Sequence, residues 1–460
     1  MSHRRQTAII GNSMTALCGG ALALNLLLVA GLMLLLAFHG LGFFWQQEVI
    51  QFEMEGGERL LGEIWEEVPA GLDAEGKPRS AQMRLKVGKR DVSGQDFVWI
   101  ERDDVVSRSR PRQAVELERR EWGNFYGFMS ELRRGEEVIA RGDDEVWDAF
   151  GPLHDRKMEE LEELEDLEEG PIGDVNYEIE ELRLDLKRLD REEKEGANVA
   201  AERERINQRL EQLQARYQDL AAELAKEREA FLEETLIMET AGGRTAEVAV
   251  GDVVRAVRPN DQSFLQTLGL YFSRVWEFLS AEPRESNTEG GIFPAIFGTV
   301  MMVFLMTFAV TPLGVLAAVY LREYAKNGLA VRAVRIAVNN LAGVPSIVFG
   351  VFGLGFFVYM IGGTIDQLFY PEALPTPTYG TGGILWASLT LALLTVPVVI
   401  VAAEEGLAAV PSIVREGSLA LGATKFETIW KVVVPAAAPG ILTGMILAMA
   451  RAAGEVAPLM

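Results

Sequence analysis

Arg451 and Glu455 are the two residues whose types and spacing best suit chemistry in this sequence. They are four residues apart, so in a helix they share one face. Both lie at the end of an apolar stretch, where ionisable side chains are costly and usually face a cavity or a partner. A guanidinium there can donate two parallel hydrogen bonds to an oxyanion, while the carboxylate balances its charge or accepts a proton. The alternative is a structural ion pair that ties two helices together.

Few other residues offer catalytic or ligand chemistry. One cysteine, Cys18, and three histidines cannot form a cysteine zinc site or a thiol catalytic pair. The phosphate-binding pattern Gly-x4-Gly-Lys-Ser/Thr is not formed either, because the Gly-Lys pairs at 76–77 and 88–89 are followed by Pro78 and Arg90. We therefore predict no enzyme activity, no metal and no cofactor, and expect any ATP hydrolysis to occur in a separate subunit.

A second feature is the loop 404–431, in which small residues and turn formers stand at regular positions. It contains Glu-Gly-Ser at 416–418, then Gly422, and it leads into Val-Val-Val-Pro at 432–435. Small residues allow close approach to another protein, Gly422 can turn the chain, and Pro435 can end the loop as the next apolar stretch begins. The spacing predicts a helix–turn–helix that docks on a partner protein.

The elements that position these residues follow from composition and charge. The chain has 460 residues, of which 49% are hydrophobic, and a formal net charge of −23. Residues 46–290 carry 59 of the 67 acids and 34 of the 44 bases, so the remainder has a net charge of +2. A nearly neutral membrane part is therefore interrupted by one acidic, water-soluble part. Such acidity argues against nucleic-acid binding, which needs bases to neutralise phosphates.

Five apolar stretches are long enough to span a membrane, which takes about 20 residues. They are 16–38, 290–321, 336–365, 384–403 and 432 to beyond 450. Lys and Arg concentrate in the short loops on the cytoplasmic side. The stretches 322–335 and 404–431 contain four and three of these bases, and 366–383 contains none. This asymmetry places the N-terminus inside and residues 46–290 outside.

The soluble insertion, residues 46–284, mixes strands and helices. Alternating apolar and polar residues, with Gly and Pro between them, predict strands in 50–155 and 245–258. Heptad-spaced apolar residues predict a coiled coil over 156–237, which a break at 196–198 folds into an antiparallel hairpin. The hairpin either packs only on itself or offers a docking surface to another subunit.

Residues 262–280 carry their large apolar side chains on one helical face. This pattern predicts a helix that lies along the membrane surface, and the alternative is a core helix of the insertion. The acidic run 159–169 is more typical of a solvated helix face than of a metal site.

Residues 285–460 resemble the permease subunits of ABC importers, and among them the PstA family of phosphate importers. The loop 404–431 has the spacing of the family's EAA loop, with Gly417 and Ser418 in place of two alanines. The other matching segments are GGIFPAIFGTV (290–300), YLREYAKNG (320–328), NNLAGVPSIVFGVFGLGFF (339–357) and ARAAGEVAPL (450–459).

This resemblance implies an all-α polytopic membrane protein with the bundle of a type I ABC importer permease, here carrying a large extracytoplasmic α+β insertion with a coiled-coil hairpin. Residues 1–45 would form the cytoplasmic N-terminus and the first transmembrane helix, and 285–460 the permease domain. The family has one more helix than this sequence, so we expect a truncation after Met460.

The resemblance further implies a permease of the bacterial inner membrane that forms half of the pathway for phosphate. Its expected partners are a PstB-like ATPase subunit, a PstC-like second permease, a periplasmic phosphate-binding protein and membrane lipid. The residues expected to couple to the ATPase are Arg415, Glu416, Gly422, Lys425 and Pro435. Those expected along the substrate path are Arg451, Glu455, Asn339 and Asn340, although helix capping explains the two asparagines equally well.

Two alternative functions stay open at this point. The protein could be a permease for another oxyanion, such as molybdate or sulfate. It could also be a membrane-anchored scaffold or sensor in which the outer coiled coil is the working part. Transport that survived deletion of 156–237, together with loss of a regulatory output, would favour a scaffold role for the insertion.

Overall fold

The structure is a computed structural model, and it describes every residue except 1, 73–77, 89–93, 195–197, 285–288, 327 and 456–460. The chain divides into two units. The first comprises Met1–Tyr177 and Leu213–Phe293, and the second comprises Glu178–Gln212 and Pro294–Met460.

The first unit contains two antiparallel sheets and two small strand pairs. The strands are β1 (Ile50–Met54), β2 (Arg59–Val68), β3 (Gly71–Leu72), β4 (Pro78–Arg79), β5 (Gln82–Lys86), β6 (Phe97–Glu101), β7 (Val105–Ser109), β8 (Val115–Arg119), β9 (Asn124–Arg134), β10 (Glu137–Arg141), β11 (Glu234–Glu239), β12 (Thr245–Ala249), β13 (Val253–Val257), β14 (Pro283–Arg284) and β15 (Glu289–Gly290). One sheet has the order β6-β5-β2-β1-β7, and the other has the order β12-β11-β9-β8-β13 with β10 paired to β9.

Strand alternation gives each sheet one apolar face. In the first sheet, Phe52, Met83 and Leu85 are buried together on that face. The register places Glu63 of β2 opposite Lys86 of β5. Since alternate residues point to opposite faces, Glu63 and Lys86 lie on the other face of the sheet, where Leu61 is buried as well.

The helices of the first unit and of the segment between its two parts are α1 (Ser2–Gly42), α2 (Asp143–Leu167), α3 (Gly173–Lys194), α4 (Ala200–Phe231) and α5 (Phe264–Ser280). Helix α2 packs Val146, Phe150 and Leu153 against the core of the second sheet. It begins thirteen residues before the helical region expected from the sequence, because three acids in its first turn favour a helix N-terminus.

A π turn around Pro171 joins α2 to α3. Helices α3 and α4 run antiparallel, since Arg209 pairs with Glu178 at 2.7 Å and Arg203 pairs with Asp190 at 2.5 Å. The expected break at 196–198 falls largely on 195–197, which lie outside the described residues. Whether the two helices supercoil, as the heptad spacing predicts, stays a prediction.

The helices of the second unit's membrane part are α6 (Phe293–Val319), α7 (Leu329–Leu341), α8 (Ser346–Gly353), α9 (Gly363–Phe369), α10 (Ile384–Ala409), α11 (Ser412–Ala420), α12 (Lys425–Thr428) and α13 (Val434–Ala453). π-helical segments extend α6 to Tyr324, join α8 to α9, and join α12 to α13.

Within the described residues, five helices are long and apolar enough to cross a membrane. They are Thr15–Gly42, Phe293–Tyr324, Ser346–Phe369, Ile384–Ala409 and Lys425–Ala453. The third begins ten residues later than expected, because a turn at Gly343 and Pro345 separates α7 from α8. Proline lacks the N–H that would continue the α7 hydrogen-bond ladder.

Helices α10 and α13 approach each other through small residues. A Cβ atom added to Gly440 would lie 2.7 Å from the Cα of Gly406, and one added to Gly444 would lie 2.3 Å from the Cβ of Ala402. Such close backbone approach is the usual packing of helices in membranes. It makes α10 the most enclosed of the five spans.

Candidate functional site

The loop between α10 and α13 folds as two short helices joined by a glycine turn. Gly422 follows α11 with a φ of +92°, a conformation that costs other residues about 1 kcal/mol or more. Its N–H donates to Leu419 O at 3.0 Å, and the Ala423 N–H donates to Ser418 O at 3.3 Å. This pair of hydrogen bonds is the Schellman motif, which ends a helix by satisfying its last carbonyl groups.

The second helix of the loop begins with a capping box. Thr424 Oγ1 accepts from the Glu427 N–H at 3.3 Å, and Glu427 Oε2 accepts from the Thr424 N–H at 3.1 Å. The helix then continues through the π turn Ile429–Val433 into α13. Pro435 therefore lies inside a continuous helix and does not end the loop, contrary to our expectation. The π turn just before it accommodates a residue that has no N–H to donate.

Arg415 anchors the loop to the end of α10. Its Nη1 donates to Val410 O at 2.5 Å, and its Nη2 donates to Leu407 O at 2.6 Å and to Glu323 Oε1 at 3.1 Å. A guanidinium at this position satisfies carbonyl groups at a helix C-terminus. The side chain is half-buried, so Arg415 serves as a clamp within the chain, and its expected role in coupling to the ATPase stays a prediction.

Lys425 contacts the same neighbouring segment. Its ammonium group donates to Glu323 O and lies 4.8 Å from the centre of the Tyr324 ring. Reasoning from residue chemistry did not single out Glu323 or Tyr324. Their only signal in the sequence was the resemblance of the segment 320–328 to the importer family.

Exposed side chains cover the outer surface of the loop. Glu416 and Gly417 are exposed. Large apolar side chains flank them: Leu421 is 91% exposed, and Ile413, Leu419 and Phe426 are also exposed. We call the four apolar residues the coupling patch. A cluster of large apolar side chains around an exposed turn is typical of a protein interface.

The structure brings Arg451 and Glu455 together. Arg451 Nε lies 3.6 Å from Glu455 Oε1, and the side chains are 35% and 21% exposed. Their neighbours Ala448 and Ala452 are buried in the main apolar cluster of the spans. The arrangement therefore leaves part of a guanidinium accessible at the end of α13, beside a carboxylate that partly neutralises it.

Asn339 and Asn340 lie in the last turn of α7 and not at the start of the third span. The carbonyl oxygen of Asn340 accepts from the Gly343 N–H at 3.0 Å, which contributes to the turn between α7 and α8. Leu341 packs on the cluster that contains Ala448 and Ala452. Both asparagine side chains are exposed, so the structure does not bring them together with Arg451.

The membrane part of this chain is similar to a known family of transport proteins. Residues 310–459 match the family described as the inner membrane component of binding-protein-dependent transport systems. The match includes the coupling patch and the Arg451–Glu455 pair, so the similarity to that family covers both candidate sites.

Among its known relatives are phosphate permeases named PstA. The probable PstA of Methanocaldococcus jannaschii is 39% identical over 38% of this chain and 55% of its own length. PstA 1 of Mycobacterium tuberculosis is 38% identical over 37% of this chain and 50% of its own length. PstA of Yersinia pestis is 36% identical over 40% of this chain and 56% of its own length. The chain thus spans about half the length of the relatives it matches. A solved structure of the methionine transporter MetNI is 22% identical over 35% of this chain and 68% of its own, with a TM-score of 0.29, which is too low to carry an argument.

Proposed function

We propose that the protein is the permease subunit of an ATP-driven phosphate importer. It forms half of the translocation pathway and couples to a separate ATPase subunit through the loop between α10 and α13. The coupling patch is the observation that carries this proposal, because a folded turn with a nearly fully exposed leucine fits docking on a partner protein. The PstA relatives supply the substrate class.

The proposed topology places both basic loops in the cytoplasm and residues 46–290 outside. The contacts of Glu323 support the first part, because Arg415 and Lys425 of the second loop both donate to this residue of the first. Two loops in contact lie on the same side of a membrane. Their shared excess of Lys and Arg supports the cytoplasm as that side.

In the proposed mechanism, nucleotide-driven closure of the ATPase subunits pushes on the coupling patch and moves the attached spans. Arg451 then offers its guanidinium to the phosphate, and Glu455 balances the charge of Arg451 or accepts a proton from hydrogen phosphate. Asn339 and Asn340 supply polar lining at the end of α7. The partial exposure of Arg451 supports this role, since a fully enclosed ion pair would not be accessible to an anion.

The proposed partners are a PstB-like ATPase, a PstC-like second permease and a periplasmic phosphate-binding protein. The exposed coupling patch suits the first of these. The insertion between α1 and α6 lies, in the proposed topology, on the side where the binding protein delivers phosphate. Its helical hairpin is available there to hold that protein or an equally enlarged second permease.

Uptake by reconstituted vesicles tests the proposal. The full chain is incorporated with ATPase and permease partners from the same source, the matching phosphate-binding protein is supplied, and uptake of radiolabelled phosphate is followed with and without ATP. We expect ATP-dependent phosphate uptake that excess unlabelled phosphate suppresses. Suppression by molybdate or sulfate, with weak competition by phosphate, would instead assign another oxyanion. A complex that assembles but moves no oxyanion would overturn the proposal and favour the scaffold alternative.

A further inference from the structure

Helix α5, which spans Phe264–Ser280, exposes one apolar side. Its residues follow one another at intervals of three and four positions, so they share one side of the helix. They are Leu265, Gly269, Phe272, Trp276 and Leu279, and all five are exposed. We call the four large side chains among them the outer face of α5. A surface helix of a soluble domain normally turns its polar side outward, and α5 does the opposite.

The other side of α5 carries the only two charged residues of the helix, and both contact the insertion. Arg274 Nη2 lies 3.5 Å from Glu116 of β8. The carboxylate of Glu277 accepts a hydrogen bond from Arg255 of β13, and it pairs with Arg284 at 3.1 Å. These ion pairs determine which side of α5 faces the sheets, and they leave the outer face without charge.

A cavity of about 560 Å³ lies on this charged side of α5. Phe278 of α5 lines it together with Glu63 and Lys86 of the first sheet. Glu116 of the second sheet also lines it, and accepts a hydrogen bond from Gln46 at 2.7 Å. Because charged groups are costly in hydrocarbon, this side of α5 does not suit contact with lipid. The outer face is the side that remains for such contact.

The residues that follow the first span pack along α5. The ring centre of Trp45 lies 5.8 Å from that of Tyr271, and the ring centre of Phe44 lies 5.2 Å from that of Phe278. The span itself, Thr15–Gly42, ends two residues before Phe44, and none of its apolar window is buried. The first span therefore leaves the membrane beside α5.

The residues that lead into the second span are held by the end of α5. The Ile292 N–H donates to Phe278 O at 2.8 Å, and the Phe293 N–H donates to Ala281 O at 3.3 Å. Gly291 approaches so closely that an added Cβ atom would lie 2.1 Å from Ala281 O. Since the second span begins at Phe293, the chain leaves the membrane and enters it again beside the same helix.

We propose that the outer face of α5 is embedded in the lipid surface on the side of the membrane that carries the insertion. Leu265, Phe272 and Trp276 then lie at the boundary of headgroups and acyl chains, where aromatic rings are favoured. A core helix of the insertion would bury one side, whereas none of the seventeen residues of α5, all of which the structure describes, is buried. The inference requires that residues 15–42 and 293–324 span a membrane, but it does not rest on the proposed transport of phosphate.

The proposed binding depends on apolar burial and not on charge. Interfacial helices that recognise anionic lipids carry Lys and Arg on their exposed polar side. The single base of α5, Arg274, is engaged by Glu116, and one flank of the outer face carries only the uncharged residues Gln266, Ser273 and Ser280. The partner is therefore a lipid surface of any headgroup charge, and α5 holds the insertion against it.

Spin-label accessibility in liposomes tests the proposal on the full chain. Cys18 is the only cysteine, so Cys18→Ser provides a background in which one label is attached at Phe272→Cys or Trp276→Cys. Ser273→Cys is the matched control, because Ser273 is exposed as well but lies on the polar flank of the same turn. Oxygen concentrates in lipid and a nickel chelate stays in water. We expect oxygen to relax the labels at 272 and 276 more strongly than nickel, and the order to reverse at 273.

The proposal is overturned if nickel dominates at both apolar positions, because the outer face would then be in water. It is also overturned if neither reagent reaches them, which would mean that protein covers the face. The same ratios are expected in phosphatidylcholine alone, with added phosphatidylglycerol, and at high salt, and a ratio that required the anionic lipid would exclude apolar burial as the cause. Thermal unfolding verifies that each labelled variant is folded, and two apolar positions are used in case one is not.

Discussion

Arg415 joins two loops of the membrane part by donating through Nη2 to Glu323 Oε1 at 3.1 Å. Lys425 donates to the carbonyl oxygen of the same Glu323 and covers the ring of Tyr324. Glu323 thus holds two of the three basic residues of the loop 404–431 against the end of the second span. This contact fixes the position of the coupling patch relative to the spans that it is proposed to move.

Removal of the Glu323 side chain should uncouple the loop. In Glu323→Ala, the half-buried Arg415 loses its charged partner, so we expect ATP-dependent uptake to fall about tenfold, as for a lost hydrogen bond to a charged group. Uptake by reconstituted vesicles gives the measurement. Glu405→Ala, an exposed acid on α10, is the control. Equal uptake by the two variants would show that the contact does not position the loop.

An acidic residue in the coupling patch should block assembly with the ATPase. Leu421 is 91% exposed, so Leu421→Asp leaves the fold intact but places a charge in the proposed interface. We expect copurification of the ATPase subunit to fall at least about tenfold. Leu232→Asp, at an exposed leucine of the insertion, should copurify normally. Normal assembly of Leu421→Asp would show that the coupling patch is not part of the interface with the ATPase.

Substitutions at the Arg451–Glu455 pair distinguish a substrate site from a structural ion pair. Arg451→Ala should abolish phosphate uptake without loss of assembly, and Arg451→Lys should retain a small part of it, because lysine keeps the charge but not the two parallel donors. A structural pair instead predicts that Arg451→Ala and Glu455→Ala lower the thermal midpoint equally. Normal uptake by Arg451→Ala would exclude the substrate role.

Burial, and next the charge of Glu116, raise the pKa of Glu63 to about 7, which predicts a pH-dependent stability. The folded protein keeps a proton on Glu63 up to about pH 7, whereas the unfolded chain releases it near 4.5. The stability that Glu63 contributes is therefore present below pH 4.5 and is lost as the pH rises through 7, by up to about 3 kcal/mol.

Glu63→Gln removes this titration. Between pH 5 and pH 8 its thermal midpoint should fall less than that of the wild type, and Glu67→Gln, at an exposed position on the same strand, should follow the wild type. Unfolding in detergent, monitored by tryptophan fluorescence, provides the comparison. If the thermal midpoints of the wild type and Glu63→Gln changed equally between pH 5 and pH 8, Glu63 would be ionised in the folded state across this range.

The parts of the fold that depend on local composition could be predicted from the sequence. Five spans were expected, and five helices of suitable length and hydropathy are present in the described residues. The first was expected at 16–38 and extends over Thr15–Gly42. The i, i+4 spacing of Arg451 and Glu455 likewise predicted that they lie close together, although Glu455 follows the last residue of α13 and is placed by the turn after it.

Features that depend on distant contacts could not be predicted in the same way. The role of Arg415 depends on carbonyl groups at the end of α10 and on Glu323, which is 92 residues away in the sequence. The turn that separates α7 from α8 was not predicted, because residues 336–365 were interpreted as one apolar stretch. The pairing of Gln46 with Glu116 joins residues 70 positions apart, so no sequence pattern revealed the cavity.

The position of Pro435 within a continuous helix has a mechanical consequence. The helix that starts after Thr424 extends as one rod of 29 residues to Ala453, about 44 Å at 1.5 Å per residue. Phe426 of the coupling patch stands near one end of the rod, and Arg451 stands near the other. In the proposed mechanism, a displacement of Phe426 is therefore transmitted to Arg451 along one continuous helix, which contains a π turn at Ile429–Val433.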